Sequence, residues 1–307
     1  MMGSFERDLM FPGNAENYFI AAQTWDERDV LPTPWPAINR TCGGWGGWTG
    51  IGPGWYVVCG GSSGGGKSLM ALNMAVEGIR RGKSVGFVSL EMTAEQLQTR
   101  LYAMLCGVQT SHISPGRHFR ADVAEDVTRR VQGWRDEGWG KMFVNEDRIR
   151  NLHDVISLMR GWREGWGCEV MVVDYMQLCR VPGEDATHRR IQATSAEVCD
   201  FANAHQVPVI ALSQFHSQAR RDRTAPPTMD SLYGGVDLGN DADMVLLLDH
   251  TRYDRPTDDY ARTWMVQGKN RHGPVAQDVP MEWDYRNLRL TEPMDDADFS
   301  KWPGAQL

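Results

Sequence analysis

The sequence predicts an α/β protein built on a mostly parallel twisted sheet, with helices on both faces and antiparallel strands at its C-terminal end. Three observations predict it. Short apolar runs alternate with helical stretches from residue 35 to about residue 205. Residues 61–68 read GSSGGGKS, the phosphate-binding pattern GxxxxGK[ST], set between one such run and one such stretch. The last four strand-like runs follow one another with no helix between them. Alternation of the first kind suits a parallel sheet covered by helices, and consecutive strands at the end suit hairpins that extend it.

Residues 1–34 offer one short helix, over residues 16–28, and then LPTPWP, whose prolines cannot continue it. This is too little chain for an independent domain, so it reads as an arm and linker that docks on its own domain or on a neighbouring copy. The run WYVVC at 55–59 suits a buried strand, and residues 67–81 carry Leu69, Leu72, Met74, Ala75 and Ile79 on a helical repeat. Strands near 84–90, 141–144, 169–173 and 207–213 then interleave with helices near 93–106, 122–137, 151–165 and 188–205. Closing strands fall near 244–249, 262–267, 277–283 and 287–291. One domain therefore spans 35–291. The tail 292–307, with Asp295, Asp296 and Asp298, reads as an acidic, solvated end.

Composition narrows the function classes. A net charge of −8 argues against a protein that coats nucleic acid with its whole surface, so any such contact must be local. The six cysteines, at 42, 59, 106, 168, 179 and 199, form no CxxC pair and have no histidine at metal-site spacing, and they read as small buried hydrophobes. No apolar stretch is long enough to span a bilayer, and the opening MMGSFERDLM lacks the basic-then-apolar order of a signal peptide. The chain is expected in the cytosol.

The phosphate loop has a definite physical logic. Gly61, Ser62, Ser63, Gly64, Gly65 and Gly66 let backbone N–H groups converge on phosphate oxygens, and the first helical turn, with Leu69, adds partial positive charge. Lys67 is placed to reach the terminal phosphates, and the Ser68 hydroxyl to help hold Mg²⁺. Three more residues fall at strand ends, the edge where open α/β sheets bind ligands. Glu91 follows VGFVSL and can orient an attacking water as general base, although a glutamate there can also be a surface residue or cap the helix beginning at Thr93. Asp174 ends the run VMVV and suits a carboxylate that binds Mg²⁺ through water. Gln214 ends VPVIALS and can sense a terminal phosphate, or simply close a buried strand.

Taken in order and spacing, GSSGGGKS, VSLEM, VMVVDYMQL, VIALSQ, NDADMVLLLDH and GKNRHGP resemble the RecA-like motor domain of DnaB-type replicative helicases, across roughly residues 35–291. The resemblance implies a RecA-like P-loop ATPase that assembles as a homohexameric ring, hydrolyses ATP with Mg²⁺ at subunit interfaces and pulls single-stranded DNA through its centre. By matching motifs it implies the roles above for Lys67, Ser68, Glu91, Asp174 and Gln214. It also implies that Lys269 and Arg271 reach the neighbour's γ-phosphate as trans-acting fingers, where the residues by themselves read as a solvated strand end. A cation lent across an interface stabilises transition-state charge only when subunits are correctly apposed.

Members of that family normally carry an N-terminal collar domain that meets primase. The short leader here leads us to expect a compact, phage-type version, in the host cytoplasm if phage-encoded, with ring formation resting on the motor domains and the arm. A primase or a helicase loader is the expected protein partner. The family places channel-facing loops between residues 214 and 241, with arginine and glutamate after the leucine that here is Leu232. This chain has Tyr233 and Gly234 instead. Backbone N–H groups around Gly234 and Gly235 can meet phosphates, Tyr233 can stack on a base, and Arg220, Arg221 and Arg223 offer local positive charge; a solvated charged loop is the competing reading. The alternative function is a RecA-like recombinase or mediator that grips single-stranded DNA under ATP control without processive unwinding. A small-molecule kinase lacks a visible lid or acceptor pocket.

Overall fold

The computed structural model describes residues 29–42, 49–184, 186–221, 225–276 and 278–293. In chain order these form α1 (Pro36–Cys42), β1 (Tyr56–Gly61), α2 (Lys67–Arg80), β2 (Val85–Ser89), α3 (Ala94–Cys106), α4 (Thr110–Ile113), α5 (Ala121–Asp136) and β3 (Met142–Val144). There follow α6 (Leu152–Trp166), β4 (Val170–Asp174), α7 (Thr187–His205), β5 (Val209–Gln214), α8 (Ser217–Arg221) and α9 (Gly235–Asp241). The strands β6 (Met244–Thr257), β7 (Tyr260–Asn270), β8 (Val279–Asp284) and β9 (Arg289–Thr291) close the chain.

All nine strands join one sheet in the order β3-β2-β4-β5-β1-β6-β7-β8-β9. The pairings from β3 through β6 are parallel, and β7, β8 and β9 add on antiparallel. The predicted fold class is the observed one. The parallel strands β1 and β4 are buried along their whole length because helices cover both faces, which is why they read as unbroken apolar runs. Since side chains alternate across a strand, each run feeds two cores. Val57, Cys59, Ile210, Leu212, Met244 and Leu246 pack on one face with α2 and α3. Tyr56, Val58, Val209, Ala211, Val245 and Leu247 pack on the other with α6 and α7.

Local signals fix the helix ends near the sheet edge. Thr93 caps α3, its hydroxyl accepting from Gln96 N while the Gln96 side chain accepts from Thr93 N. Asn151 caps α6 by accepting from His153 N. Five of the six cysteines are buried and all are free, with burial raising the Cys59 thiol to about 12. No helix among the described residues is long and apolar enough to cross a membrane.

Two features differ from the sequence pattern. The β6–β7 hairpin runs well beyond 244–249 and 262–267, because ladder pairing with register shifts after Asp249 carries residues 250–257, which lack apolar alternation. The helices α1, α4, α8 and α9 are too short to leave a periodicity, and packing and local hydrogen bonds hold them instead. At the N-terminal end, Val30 and Leu31 are buried in the domain, and Leu31 exchanges two backbone hydrogen bonds with Ile51 at 2.8 Å. The helix predicted over 16–28, Arg223, and the tail beyond residue 293 lie outside the described residues, as do the side chains of Arg220 and Arg221.

Candidate nucleotide site

The strands β2, β4, β5 and β1 lie side by side, so their carboxyl ends make one edge. Along it Gly61 is level with Gln214, and Ser89 is level with Asp174. The loop 62–66 leaves this edge and turns into α2 through Gly64 and Gly66, both at positive φ (71° and 90°). Gly66 is the N-cap of α2 and offers no side chain, so the first-turn N–H groups, those of Ser68 and Leu69 included, face the loop's concavity uncapped. Lys67 is buried and curls back across the loop, its Nζ donating to Ser62 O at 2.8 Å. A Cβ at Gly66 would stand 2.4 Å from Cζ2 of Trp283. Gly66→Ala is therefore expected to lose about 2 to 3 kcal/mol by strain and overpacking together, read as a lower urea midpoint with unchanged slope.

Asp174 is the carboxylate most affected by this arrangement. It is 1% exposed, and neither of its oxygens has a hydrogen-bond partner among the described residues. Burial raises its carboxyl to about 6; Ser68 and Lys67 pull it down, while Glu91 pushes it further up. Such a group is costly in water-free surroundings unless a cation or donor arrives. Glu91 is exposed just past β2, and the capping alternative falls away because Thr93 itself caps α3. Tyr175, whose hydroxyl is raised by burial, sits amid Glu91, Asp174, Gln214 and Arg150 and gathers them into one cluster. The edge thus brings together Lys67, Ser68, Glu91, Asp174 and Gln214.

Lys269 and Arg271 are elsewhere. They lie at the end of β7, level with the start of β6, which is level with the start of β1. That places them on the opposite edge of the sheet, one strand length from the phosphate loop, or about 17 Å. Lys269 Nζ donates to Gly239 O and Asn240 O, both at 2.8 Å, and Arg271 Nη1 pairs with Asp243 Oδ1 at 2.9 Å. Burial and the nearby Arg271 lower the Lys269 ammonium.

Tyr233, Gly234 and Gly235 form the turn into α9, the two glycines at φ 102° and 58°. Tyr233 N donates to Gln214 O at 2.9 Å, so this turn hangs directly from the end of β5.

One lining escaped the sequence. A cavity of about 240 Å³ opens beside residues 62–65 and is walled by Asp249, His250, Tyr253, Thr263, Trp283 and Tyr285. Its aromatics come from the antiparallel extension, where Val279, Met281 and Trp283 are the buried positions of the alternating strand β8. A larger cleft of about 580 Å³ of mixed lining, with Leu101, Tyr102, Trp134 and Trp139 beside Gln98, Arg135 and Lys141, lies at the β3 edge four strands from the phosphate loop.

The residues fit a nucleoside triphosphate with Mg²⁺. A glycine cradle supplies N–H donors, and an orphaned buried carboxylate beside Ser68 supplies the hard oxygen ligands that Mg²⁺ takes. Fold and site together define a phosphate-loop α/β domain of the RecA-like kind. The chain belongs to the family described as DnaB-like helicase C terminal domain, whose model matches residues 46–292. It is 28% identical over 211 residues to a probable plasmid replicative DNA helicase of Chlamydia psittaci, covering 67% of this chain and 44% of that protein. It is 27% identical over 216 residues to the replicative DNA helicase DnaB of Haemophilus influenzae (strain ATCC 51907 / DSM 11121 / KW20 / Rd), covering 69% and 46% respectively. The chain spans less than half the length of these relatives. In fold it is similar to a DnaB-like replicative helicase solved together with its interactions with primase, with a TM-score of 0.75 at 18% identity over 92% of this chain and 68% of that one.

Proposed function

We propose that this chain is the ATP-hydrolysing motor of a replicative DNA helicase, acting as a hexameric ring that moves along single-stranded DNA and opens duplex. The observation that carries the reading is Asp174, a buried carboxylate at the foot of a phosphate loop in a DnaB-like domain, with Ser68 and Lys67 the groups that favour its charged form. Ser68 and, through water, Asp174 would hold Mg²⁺, which when bound offsets charge on the β- and γ-phosphate oxygens. Lys67 exchanges its bond to Ser62 O for phosphate oxygens. Glu91, exposed and across from Asp174, accepts a proton from the attacking water. The nucleobase enters the cavity walled by Tyr253, Trp283 and Tyr285, where ring faces suit stacking.

Gln214 is the link between hydrolysis and DNA. Its side chain is near Tyr175 on the phosphate side, and its carbonyl holds Tyr233 N at the head of the Gly234–Gly235 turn. A shift of Gln214 between nucleotide states moves that turn, which with Arg220, Arg221 and Arg223 contacts the strand. Lys269 and Arg271, too far from their own phosphate loop, serve the neighbouring subunit's nucleotide, and this ties turnover to ring assembly. The test is DNA-stimulated ATPase together with forked-duplex unwinding, with rings sought by electron microscopy in the presence of nucleotide. Wild type should show all three, and Lys67→Ala and Glu91→Gln should lose turnover by about 10²-fold or more. Open filaments without unwinding would favour a recombinase instead, and full turnover in Glu91→Gln would remove it as the base.

A further inference from the structure

The last carbonyls of a helix have no partner within it, and those of α9 are held by side chains from two directions. Gly239 O accepts from Lys269 Nζ at 2.8 Å, and Asn240 O accepts from both Lys269 Nζ at 2.8 Å and Arg271 Nη2 at 3.1 Å. Asp241 O accepts from the Cys199 thiol at 3.7 Å, and the Asp241 carboxylate from Ser195 Oγ at 2.7 Å. The two residues assigned to the neighbouring subunit's nucleotide are therefore the cations that finish this helix, at the end where its dipole is negative. Just beyond it, Asp243 Oδ1 pairs with Arg271 Nη1 at 2.9 Å, while Asp243 Oδ2 accepts from Tyr56 N at 2.9 Å. Glycines make the approach close: a Cβ at Gly239 would stand 2.7 Å from Met229 Sδ, and one at Gly268, beside Lys269, 3.3 Å from Met229 Cγ.

Engagement of the fingers in trans has a consequence at home. Two of the three Lys269 ammonium donors are committed to α9, so a reach across the interface exchanges helix carbonyls for phosphate oxygens. With only seven residues, Gly235–Asp241, α9 is too short to hold its shape without outside partners. Its other end is the Tyr233–Gly235 turn, tied to Gln214 O. One element about 10 Å long thus carries the proposed DNA contact at its head and both fingers at its foot. A strand that displaces the turn displaces the carbonyls that hold the fingers, and fingers that leave loosen the helix behind the turn. Linkage makes the two effects equal in free energy.

We propose that the C-terminal end of α9 is a latch that holds both trans fingers within their own subunit, with Asp243 as the positioning residue for Arg271, and that DNA on the Tyr233–Gly235 turn releases it. Hydrolysis in one pocket is then conditional on DNA held by the adjacent subunit. This rests on the reading above, in which the turn meets DNA and the fingers serve the neighbour.

Hydrogen exchange followed by mass spectrometry reads the backbone amides of residues 235–243 at concentrations where subunits associate, without ligand and with oligothymidylate, a non-hydrolysable ATP analogue or both. Loss of the cation caps should speed exchange of the last turn by about three- to tenfold once both ligands are present. In Lys269→Ala/Arg271→Ala the same amides should exchange fast in every state. In Lys67→Ala the response to the analogue should vanish, because no bound nucleotide draws the fingers away. Asp243→Asn keeps an oxygen for Tyr56 N but loses the charge facing Arg271, so turnover without DNA should rise about two- to fivefold. Its DNA-saturated rate should stay at the wild-type level, so that the stimulation factor falls. Should that variant melt early, the exchange measurement on wild type decides alone. DNA-stimulated turnover in wild type, with exchange across 235–243 the same in all four states, overturns the latch. An Asp243→Asn variant that melts natively and keeps wild-type stimulation overturns it too. Wild type with no DNA-stimulated turnover would instead refute the motor reading on which the latch depends.

Discussion

Asp174→Asn will melt at a higher temperature than wild type without ligand, and it will hydrolyse ATP slower by about 10²-fold or more. Both effects come from one cause. Burial lifts the Asp174 carboxyl from 3.8 to about 6. The folded state therefore holds this proton more tightly than the unfolded chain does, and stability contributed by the group falls as pH rises from about 4 to about 6. Above that window the full deficit is present. Two pKa units correspond to about 3 kcal/mol, an upper figure for a site that can relax or admit water, so a gain of several degrees is the scale to look for. Asparagine is neutral and removes the penalty. Thermal melts across pH, with and without Mg²⁺-ATP, check this: the variant's advantage should vanish toward pH 4 and reverse on adding Mg²⁺-ATP, which stabilises only a protein that binds it. A variant that melts lower than wild type above pH 7 would mean that the carboxylate is satisfied in the ligand-free fold.

Arg271→Ala is expected to cost about 10³-fold in turnover while leaving the subunit folded. The side chain is half exposed, and its pairing with Asp243 is worth at most about 1 kcal/mol at such a surface. Burial tends to raise the Asp243 carboxyl, but His272, Tyr56 N and Arg271 together outweigh this and leave it lowered, so two partners remain after the substitution. The phosphate loop of the same subunit is a strand length away, so on the proposed ring the loss is expected in the neighbour's pocket. Mixing Arg271→Ala with Lys67→Ala subunits then rebuilds complete pockets at about a quarter of randomly formed interfaces, and activity should reappear although each parent is inactive. Undiminished turnover of Arg271→Ala alone, or a mixture no better than its parts, would show that the pocket is complete within one subunit.

Much of the candidate site was legible because it follows from local rules. A strand, a glycine loop and a helix in immediate succession can only be arranged one way around a phosphate, so residues 61–69 were readable from their order. Glu91 and Asp174 were readable as polar ends of apolar strands, since parallel strands all present those ends at one edge, whereas Gln214 was singled out by the family resemblance and not by periodicity. Periodicity could not settle what Glu91 does, because capping by Thr93 and Gln96 is a matter of side-chain geometry. Tyr253, Trp283 and Tyr285 were missed for a related reason: no spacing in the chain links residues 62–65 to the closing strands.

The amino-acid sequence by itself determined the alternation of strands and helices, the phosphate loop and the identity of the edge where polar residues collect, because these depend on side-chain periodicity and on neighbours in the chain. Only the tertiary structure decided that Asp174 is buried beside Ser68, that Lys269 and Arg271 stand on the far edge, and that Arg150, Arg180 and Arg190 share a cavity. Burial and distance between remote segments are set by strand order. Here β1 pairs with β5 and β6, neighbours that no local signal specifies.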